Sequence, residues 1–342
     1  MIASKTITPL SDKLQTEEAV HFVKTAFEKQ LKIQLSLTKV SAPSVVLKGT
    51  GINDDLNGIE RPVAFPIKAM EEQSAEVVQS LAKWKRLRLA EYGLSSGTGI
   101  FTDMKALRPD EEIGPLHSIF VDQWDWEMVI PPEDRSLEFL KAQVRKIYRA
   151  IVETATDLAA EYPLLTPSLP SEITFVHTEE LLKEFPQLSP KEREAEAAKR
   201  FGAVFLIGIG GELENGEPHD GRAPDYDDWT TPTSPDTKGL NGDIIVWNSV
   251  LQQPFEISSM GIRVDPDVLQ LQLQHRKMES RSQLFYHREL LSGRLPQTLG
   301  GGIGQSRLVM FLLKKKHIGE VQASIWPQEI RLKCKQDGIY LL

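Results

Sequence analysis

The chain has 342 residues, a formal net charge of −8 and a pI near 5.5, which disfavours binding to a nucleic-acid backbone and leaves a small molecule as the expected partner. A single cysteine, Cys334, excludes a disulfide framework, a cysteine-based zinc site and a thiol pair for redox exchange. Apolar runs such as residues 203–209 are too short to span a bilayer, and the first residues lack the basic start and apolar block of a secretory signal, so a cytoplasmic protein without a membrane partner is expected.

Behind a polar cap near Ser11 or Thr16, Val20, Val23, Phe27 and Leu31 recur at three and four residues, which predicts an amphipathic helix. A short strand from Leu37 to Val40 follows and meets Pro43. The Gly-, Asn- and Asp-rich stretch from Gly49 to Gly58 has the composition of a flap carrying Asp54 and Asp55. A second helix is expected from Glu76 to Tyr92, closed by Gly93. Strands over residues 99–107 and 117–127, joined through Pro109, Gly114 and Pro115, read as a hairpin.

A long helix from Ser136 to about Tyr162 shows Leu140, Val144, Ile147, Ile151 and Leu158 on one face and stops at Pro163. Ser189-Pro-Lys-Glu192 is a capping box opening a helix that ends at Gly202. A buried strand over 203–209, a hairpin of 239–247 with 255–264, a helical region from Asp265 to near Gly293 and a helix after Gly304 complete the chain. Helices and hairpins mix without strict βαβ alternation, so the expected class is α+β, a mainly antiparallel sheet flanked by helices. No internal repeat or low-complexity linker interrupts it, which favours one domain over residues 1–342.

The segment Gly300-Gly-Gly-Ile-Gly-Gln-Ser-Arg307 carries the strongest chemical signal. Its glycines let the backbone bend and approach a ligand, and Arg307 offers a planar cationic fork. The chain has no G-x-x-x-x-G-K-[ST] motif, so phosphate would be held by arginines and a metal. In the strand ending at Glu127, a period of two puts Gln123, Asp125 and Glu127 on one face and Asp122, Trp124 and Trp126 on the other, with Arg108 over the former. That face is either a solvated surface or the wall of a site.

A regular pleat from Phe255 to Arg263 would separate Glu256 from Arg263; a bulge at Ser258-Ser259 would bring Glu256, Ser259 and Arg263 to one side. With Asp243 on the neighbouring strand, Glu256 would then hold magnesium, unless its pairing with Arg263 is purely structural. The cluster Asp225-Tyr-Asp-Asp228 either orients an ammonium group or a metal, or is a set of loop charges in water. Gly208-Ile-Gly-Gly lacks the third glycine and helix of a dinucleotide fingerprint, and the histidines, without ligand spacing, read as structural or exposed.

Together these pieces resemble the catalytic core of class II aminoacyl-tRNA synthetases of the aspartate and asparagine branch. The first helix and strand up to Pro43 are similar to that family's dimer-forming motif, Arg108 through Asp125 to its second, and GGGIGQSR to its third. The segment from Gln79-Ser80 to Lys85 is similar to the one that grips the amino acid. More closely, LAKWKR (81–86), MKALRPDE (104–111), VDQWDWE (121–127), RAPDYDDW (222–229), GLNGDI (239–244), SSMGIRV (258–264) and PQTLGGGIGQSRL (296–308) resemble the ammonia-dependent asparagine synthetase family. In the flap this chain reads Ile52-Asn53-Asp54-Asp55, where Asp54 matches the family's substrate-contacting aspartate.

The resemblance implies a ligase that uses ATP and magnesium to make L-asparagine from L-aspartate and ammonia through β-aspartyl-AMP, releasing AMP and pyrophosphate. It implies that Arg108 and Arg307 grip the phosphates, that Asp243, Glu256 and Ser259 serve the magnesium, and that Gln123 touches the substrate near the nucleotide. It assigns Asp54, Ser80, Lys85, Asp125, Asp227 and Arg263 to the amino acid. A homodimer without an anticodon-binding domain and without a nucleic-acid partner is expected. The rivals are a tRNA-charging paralogue, opposed by the acidic charge, and a non-catalytic amino-acid-binding subunit, opposed by the presence of Arg108, Glu256 and Arg307.

Overall fold

The computed structural model describes residues 13–54, 56, 60–166 and 168–342; the expected cap at Ser11 and the flap residue Asp55 lie outside them. Helix α1 (Lys13–Leu35) buries Val20, Val23, Phe27, Leu31 and Leu35, the stripe its spacing demands, and leads into β1 (Leu37–Lys39). Three strands without a clear sequence signal come next: β2 (Val45–Leu47), β3 (Ala64–Ile67) and β4 (Gln73–Val77) form a separate antiparallel sheet in the order β2-β4-β3. Strand β4 takes the residues expected to begin a helix at Glu76, and α2 (Ala82–Tyr92) starts only after Leu81, closing at left-handed Gly93. Val77 and Val78 favour the extended form, and the inward Lys83, Lys85 and Arg86 hide the amphipathic pattern.

Strands β5 (Gly99–Leu107) and β6 (Phe120–Val129) form the expected hairpin, with Leu107 opposite Phe120. Helix α3 (Leu137–Glu161) is capped by the Ser136 hydroxyl, which accepts the Phe139 N–H, and packs on α1. The short β7 (Thr174–His177) and α4 (Thr178–Glu184) precede α5 (Pro190–Phe201), whose Ser189/Glu192 capping box is formed as expected. Then come β8 (Ala203–Ile207), β9 (Asn241–Asn248) and β10 (Gln253–Ile262). The helical region after Asp265 is broken at Lys277, which has a φ of 56°, into α6 (Pro266–His275) and α7 (Phe285–Leu291). Strand β11 (Thr298–Gly304), α8 (Gln305–Leu312) and α9 (Gln328–Gln336) follow.

Among the described residues eight strands make one sheet in the order β1-β5-β6-β11-β10-β9-β8-β7. It is mixed, not the mainly antiparallel sheet expected: β1 runs parallel to β5 and β7 parallel to β8, while the pairs between are antiparallel. The parallel edges arise because helices intervene between their strands, α2 in one case and α4 with α5 in the other, and such a crossover returns the chain in the same direction. One face of the sheet is closed by α1, α3 and α8 over Trp124, Trp126, Phe205 and Ile303. The opposite face holds the polar residues. None of the described helices is long and apolar enough to cross a membrane.

Candidate active site

Alternation along β6 fixes the first wall: Trp124 and Trp126 are wholly buried in the core, and Gln123 and Asp125 line a cavity on the other face. The neighbouring strand β11 explains the glycines. A Cβ on Gly300 would stand 2.0 Å from Glu127 Oε2, one on Gly301 2.5 Å from Met260 Cβ, and one on Gly302 2.5 Å from Gln123 Oε1. The run is therefore a straight central strand stripped of side chains, not the bend expected, and Gly301 and Gly302 form part of the cavity floor.

Strand β10 supplies the opposite wall through a bulge. Glu256 pairs with Ile245 and Ser258 with Ile244, so Ile257 is the extra residue, one position earlier than expected. The phase shift puts Glu256, Ser259 and Arg263 into the same cavity, and Ser259 lies directly opposite Asp243 of β9. The cavity has a volume of about 400 Å³. Asp54, Ser80, Asp125, Asp227 and Arg263 line it, as do Arg108, Gln123, Asp243, Glu256 and Ser259.

Arg307 and Lys85 stand outside this lining. Arg307 opens onto an adjoining recess of about 210 Å³ that shares Arg108, Gln123, Glu256 and Gly302 with the main cavity. Its Nη1 donates to the Glu256 carbonyl at 3.1 Å and its Nη2 to His117 Nε2. Burial first, then the Arg307 charge, pushes His117 down to about 4, so the ring is a neutral acceptor. Lys85 lies beneath the floor with no exposure; its Nζ donates to Asp125 Oδ1 at 2.9 Å and to the carbonyls of Trp126 and Gly301 at 2.9 and 3.2 Å. It braces Asp125 instead of reaching into the cavity.

Arg263 is held by Glu127, which accepts from its Nε at 2.9 Å and its Nη2 at 2.8 Å, and by Asp227 on Nη1. Burial works against the Glu127 carboxylate, but Arg263 and then Lys85 outweigh it and keep its pKa below the ordinary value. Burial pushes the Asp243 carboxyl up to about 7; Arg222 opposes the shift and Glu256 adds to it. Arg222, which opens the RAPDYDDW segment, carries no sequence signal of its own beyond that position. It bridges the site, with Nη2 2.6 Å from Asp243 Oδ1 and Nε 3.6 Å from Asp227 Oδ2.

The acidic cluster is not a set of charges in water. Asp225 is buried against Lys83 at 3.0 Å, His287 at 3.0 Å and Arg281 at 3.2 Å, and Asp228 pairs with Arg135 while accepting the Thr230 and Thr231 N–H groups. Only Asp227 of the three aspartates faces the cavity. Among the described residues no group of three or more His, Cys, Asp or Glu side chains is arranged to hold a metal by itself, so Asp243 and Glu256 would need oxygens from a substrate or water to complete a shell.

The fold is that of the class II asparaginyl- and aspartyl-tRNA synthetases. Asparaginyl-tRNA synthetase from Pyrococcus horikoshii, complexed with asparaginyl-adenylate, matches with a TM-score of 0.67 at 15% identity, over 92% of this chain and 70% of that one. The Entamoeba histolytica asparaginyl-tRNA synthetase matches with a TM-score of 0.65 at 16% identity, over 91% and 67%. Within that class the relationship narrows. The family model described as Aspartate-ammonia ligase matches residues 14–338, and the chain belongs to that family of carbon–nitrogen ligases, which make asparagine from aspartate and ammonia. A relative named Aspartate--ammonia ligase from Bacteroides thetaiotaomicron is 53% identical over 342 residues, 100% of this chain and 99% of its own. Another of that name from Parabacteroides distasonis is 54% identical over 328 residues, 96% and 95%.

Proposed function

We propose that this chain is a cytoplasmic, ATP-dependent ligase that activates the side-chain carboxylate of L-aspartate as β-aspartyl-AMP and passes it to ammonia, releasing AMP and pyrophosphate. The observation that supports this most is the adjacency of two chemically distinct ends in one cavity. Carboxylates able to hold an ammonium group, Asp54, Asp125 and Asp227, lie beside Arg263; the cavity continues past Gln123 to Arg108 and the Arg307 recess, where cations await phosphate.

A carboxylate is a poor electrophile, so one of its oxygens must become part of a leaving group. With the α-ammonium on the carboxylates and a carboxylate near Ser80 and Arg263, the β-carboxylate attacks the α-phosphorus and pyrophosphate departs. Neutral ammonia then adds to the β-carbonyl carbon, the bond from that carbon to the AMP oxygen breaks, and the nitrogen gives up one proton to solvent as the amide forms. Arg108 and Arg307 stabilise charge that grows on phosphate oxygens, and Gln123 orients the reacting carboxyl; loss of one such donor typically costs roughly 10²–10³-fold. Asp243, Glu256 and the Ser259 hydroxyl are hard oxygen donors that suit magnesium, which would neutralise phosphate charge there. Lys85 acts from below by fixing Asp125.

We place the whole chain in one catalytic domain acting as a homodimer through α1 and β1, with no nucleic-acid partner. Incubation with ATP, magnesium and aspartate, followed by ammonium, glutamine or tRNA in separate reactions, tests the function. Asparagine and AMP are expected with ammonium; aspartyl-tRNA would overturn the reading.

A further inference from the structure

Arg307 is the third residue of α8, and the two residues before it are each tied through a carboxylate on the sheet to the charges of α1. Helix α8 brings no side chain of its own to its start, because Gly304 occupies the cap position. Asp122, on the core face of β6, fills that gap. Its Oδ1 accepts the Ser306 backbone N–H at 3.0 Å, while Lys24 of α1 sits 3.0 Å from its Oδ2. Gln322 locks the same turn: its Nε2 donates to Ser306 Oγ at 3.0 Å, and its Oε1 accepts from Ser118 Oγ at 2.6 Å.

A second tie runs alongside. Gln305 Nε2 donates to Asp103 Oδ1 at 2.8 Å; Asp103 pairs with Lys39 at 2.8 Å, and Lys39 reaches Glu28 of α1 at 2.8 Å. Asp122 is 7% exposed and absent from the lining of the main cavity; it borders the recess beside Arg307, where its two carboxylate oxygens are taken up by the Ser306 N–H and Lys24. A carboxylate so buried is retained at a cost unless its charge and acceptors are satisfied, and here every partner belongs either to α1 or to the first turn of α8 and its brace.

We infer that Asp122 is a positioning residue for Arg307: by capping α8 sideways and anchoring that cap on Lys24, it sets the rotation of the helix's first turn and hence the direction of the guanidinium. The inference rests on the reading of Arg307 as a phosphate ligand. Its consequence is selective, because a misplaced first turn disturbs the nucleotide end and leaves Asp54, Asp125 and Asp227 untouched.

The test is a double-mutant cycle on pyrophosphate release, with KM for ATP and for aspartate measured separately. Asp122→Ala is expected to lower kcat/KM for ATP roughly 10- to 100-fold while KM for aspartate stays within about twofold, since small displacements of positioning groups carry losses of that order. Asp122→Asn, of equal size and still able to accept the Ser306 N–H, is expected to lose roughly threefold. Added to Arg307→Ala, either substitution is expected to cause no further loss. Additive losses in the cycle, or a lowered melting temperature with both KM values unchanged or shifted together, would overturn the inference; if Asp122→Ala does not fold, the Asp122→Asn arm decides. A wild-type chain that releases no pyrophosphate would instead remove the functional reading on which the inference stands.

Discussion

Arg263 at the cavity wall grips the buried Glu127 with two nitrogens, Nε at 2.9 Å and Nη2 at 2.8 Å, and the side chains are only 3% and 0% exposed. Thr298 Oγ1 donates to Glu127 at 2.7 Å and Lys85 lies 3.7 Å away, so the carboxylate has no unmet demand. Removing it leaves two buried cations short of one acidic partner each, Arg263 keeping Asp227 and Lys85 keeping Asp125. Glu127→Ala is expected to destabilise the fold by about 3–5 kcal/mol, measured by denaturant unfolding.

The same carboxylate sets an acid limit. Its folded pKa lies below the unfolded value, so its contribution is fully present above the ordinary carboxylate range and is lost as pH falls through the folded pKa. Unfolding free energy is expected to decline on acidification below about pH 4.5, with a shallower slope in Glu127→Gln. An unchanged slope in that variant would place the proton uptake elsewhere.

Gly300 and Gly302 differ in what an added methyl group would strike. At Gly300 it meets the pinned Glu127 carboxylate at 2.0 Å, and at Gly302 the Gln123 amide at 2.5 Å. Gly300→Ala is expected to lose about 3 kcal/mol or more, by overpacking and by breaking the pair below. Gly302→Ala is expected to fold but turn Gln123 aside, raising substrate KM with a smaller change in melting temperature.

Arg222 links the two ends of the cavity through Asp227 and Asp243. Arg222→Ala leaves both carboxylates without that cation, and kcat/KM for aspartate is expected to fall roughly 10²-fold. Arg222→Lys, with one point charge in place of a planar fork, is expected to recover only part of the loss. Equal rates in the alanine variant and the wild type would make the bridge incidental.

Local regularities were legible in the sequence. The period of two in β6 placed Gln123 and Asp125 on one wall, and the Ser189 capping box and the apolar period from Ser136 marked two helices. What escaped depended on partners distant in the chain. Asp225 is buried because Lys83, Arg281 and His287 converge on it, and Lys85 turns inward because Asp125 and two carbonyls receive it. The glycine run announced a special backbone but not its kind: a bend and a bare central strand both require the absence of Cβ. A bulge was foreseeable from the spacing of Glu256 and Arg263, but its position at Ile257 followed from the register with β9. Strands β2, β3 and β4 are short, with partly exposed apolar residues such as Val45 and Phe65, and carried no alternation long enough to read.

On the proposed mechanism, Arg108 and its companions poise ATP for attack at the α-phosphorus by the aspartate side chain. Aspartate-dependent exchange of labelled pyrophosphate into ATP, run with magnesium and without ammonia, tests it most directly. Exchange is expected with the wild-type chain and is expected to be lost in a folded Arg108→Ala variant. Undiminished exchange in that variant, or asparagine formed together with ADP and phosphate, would contradict the account.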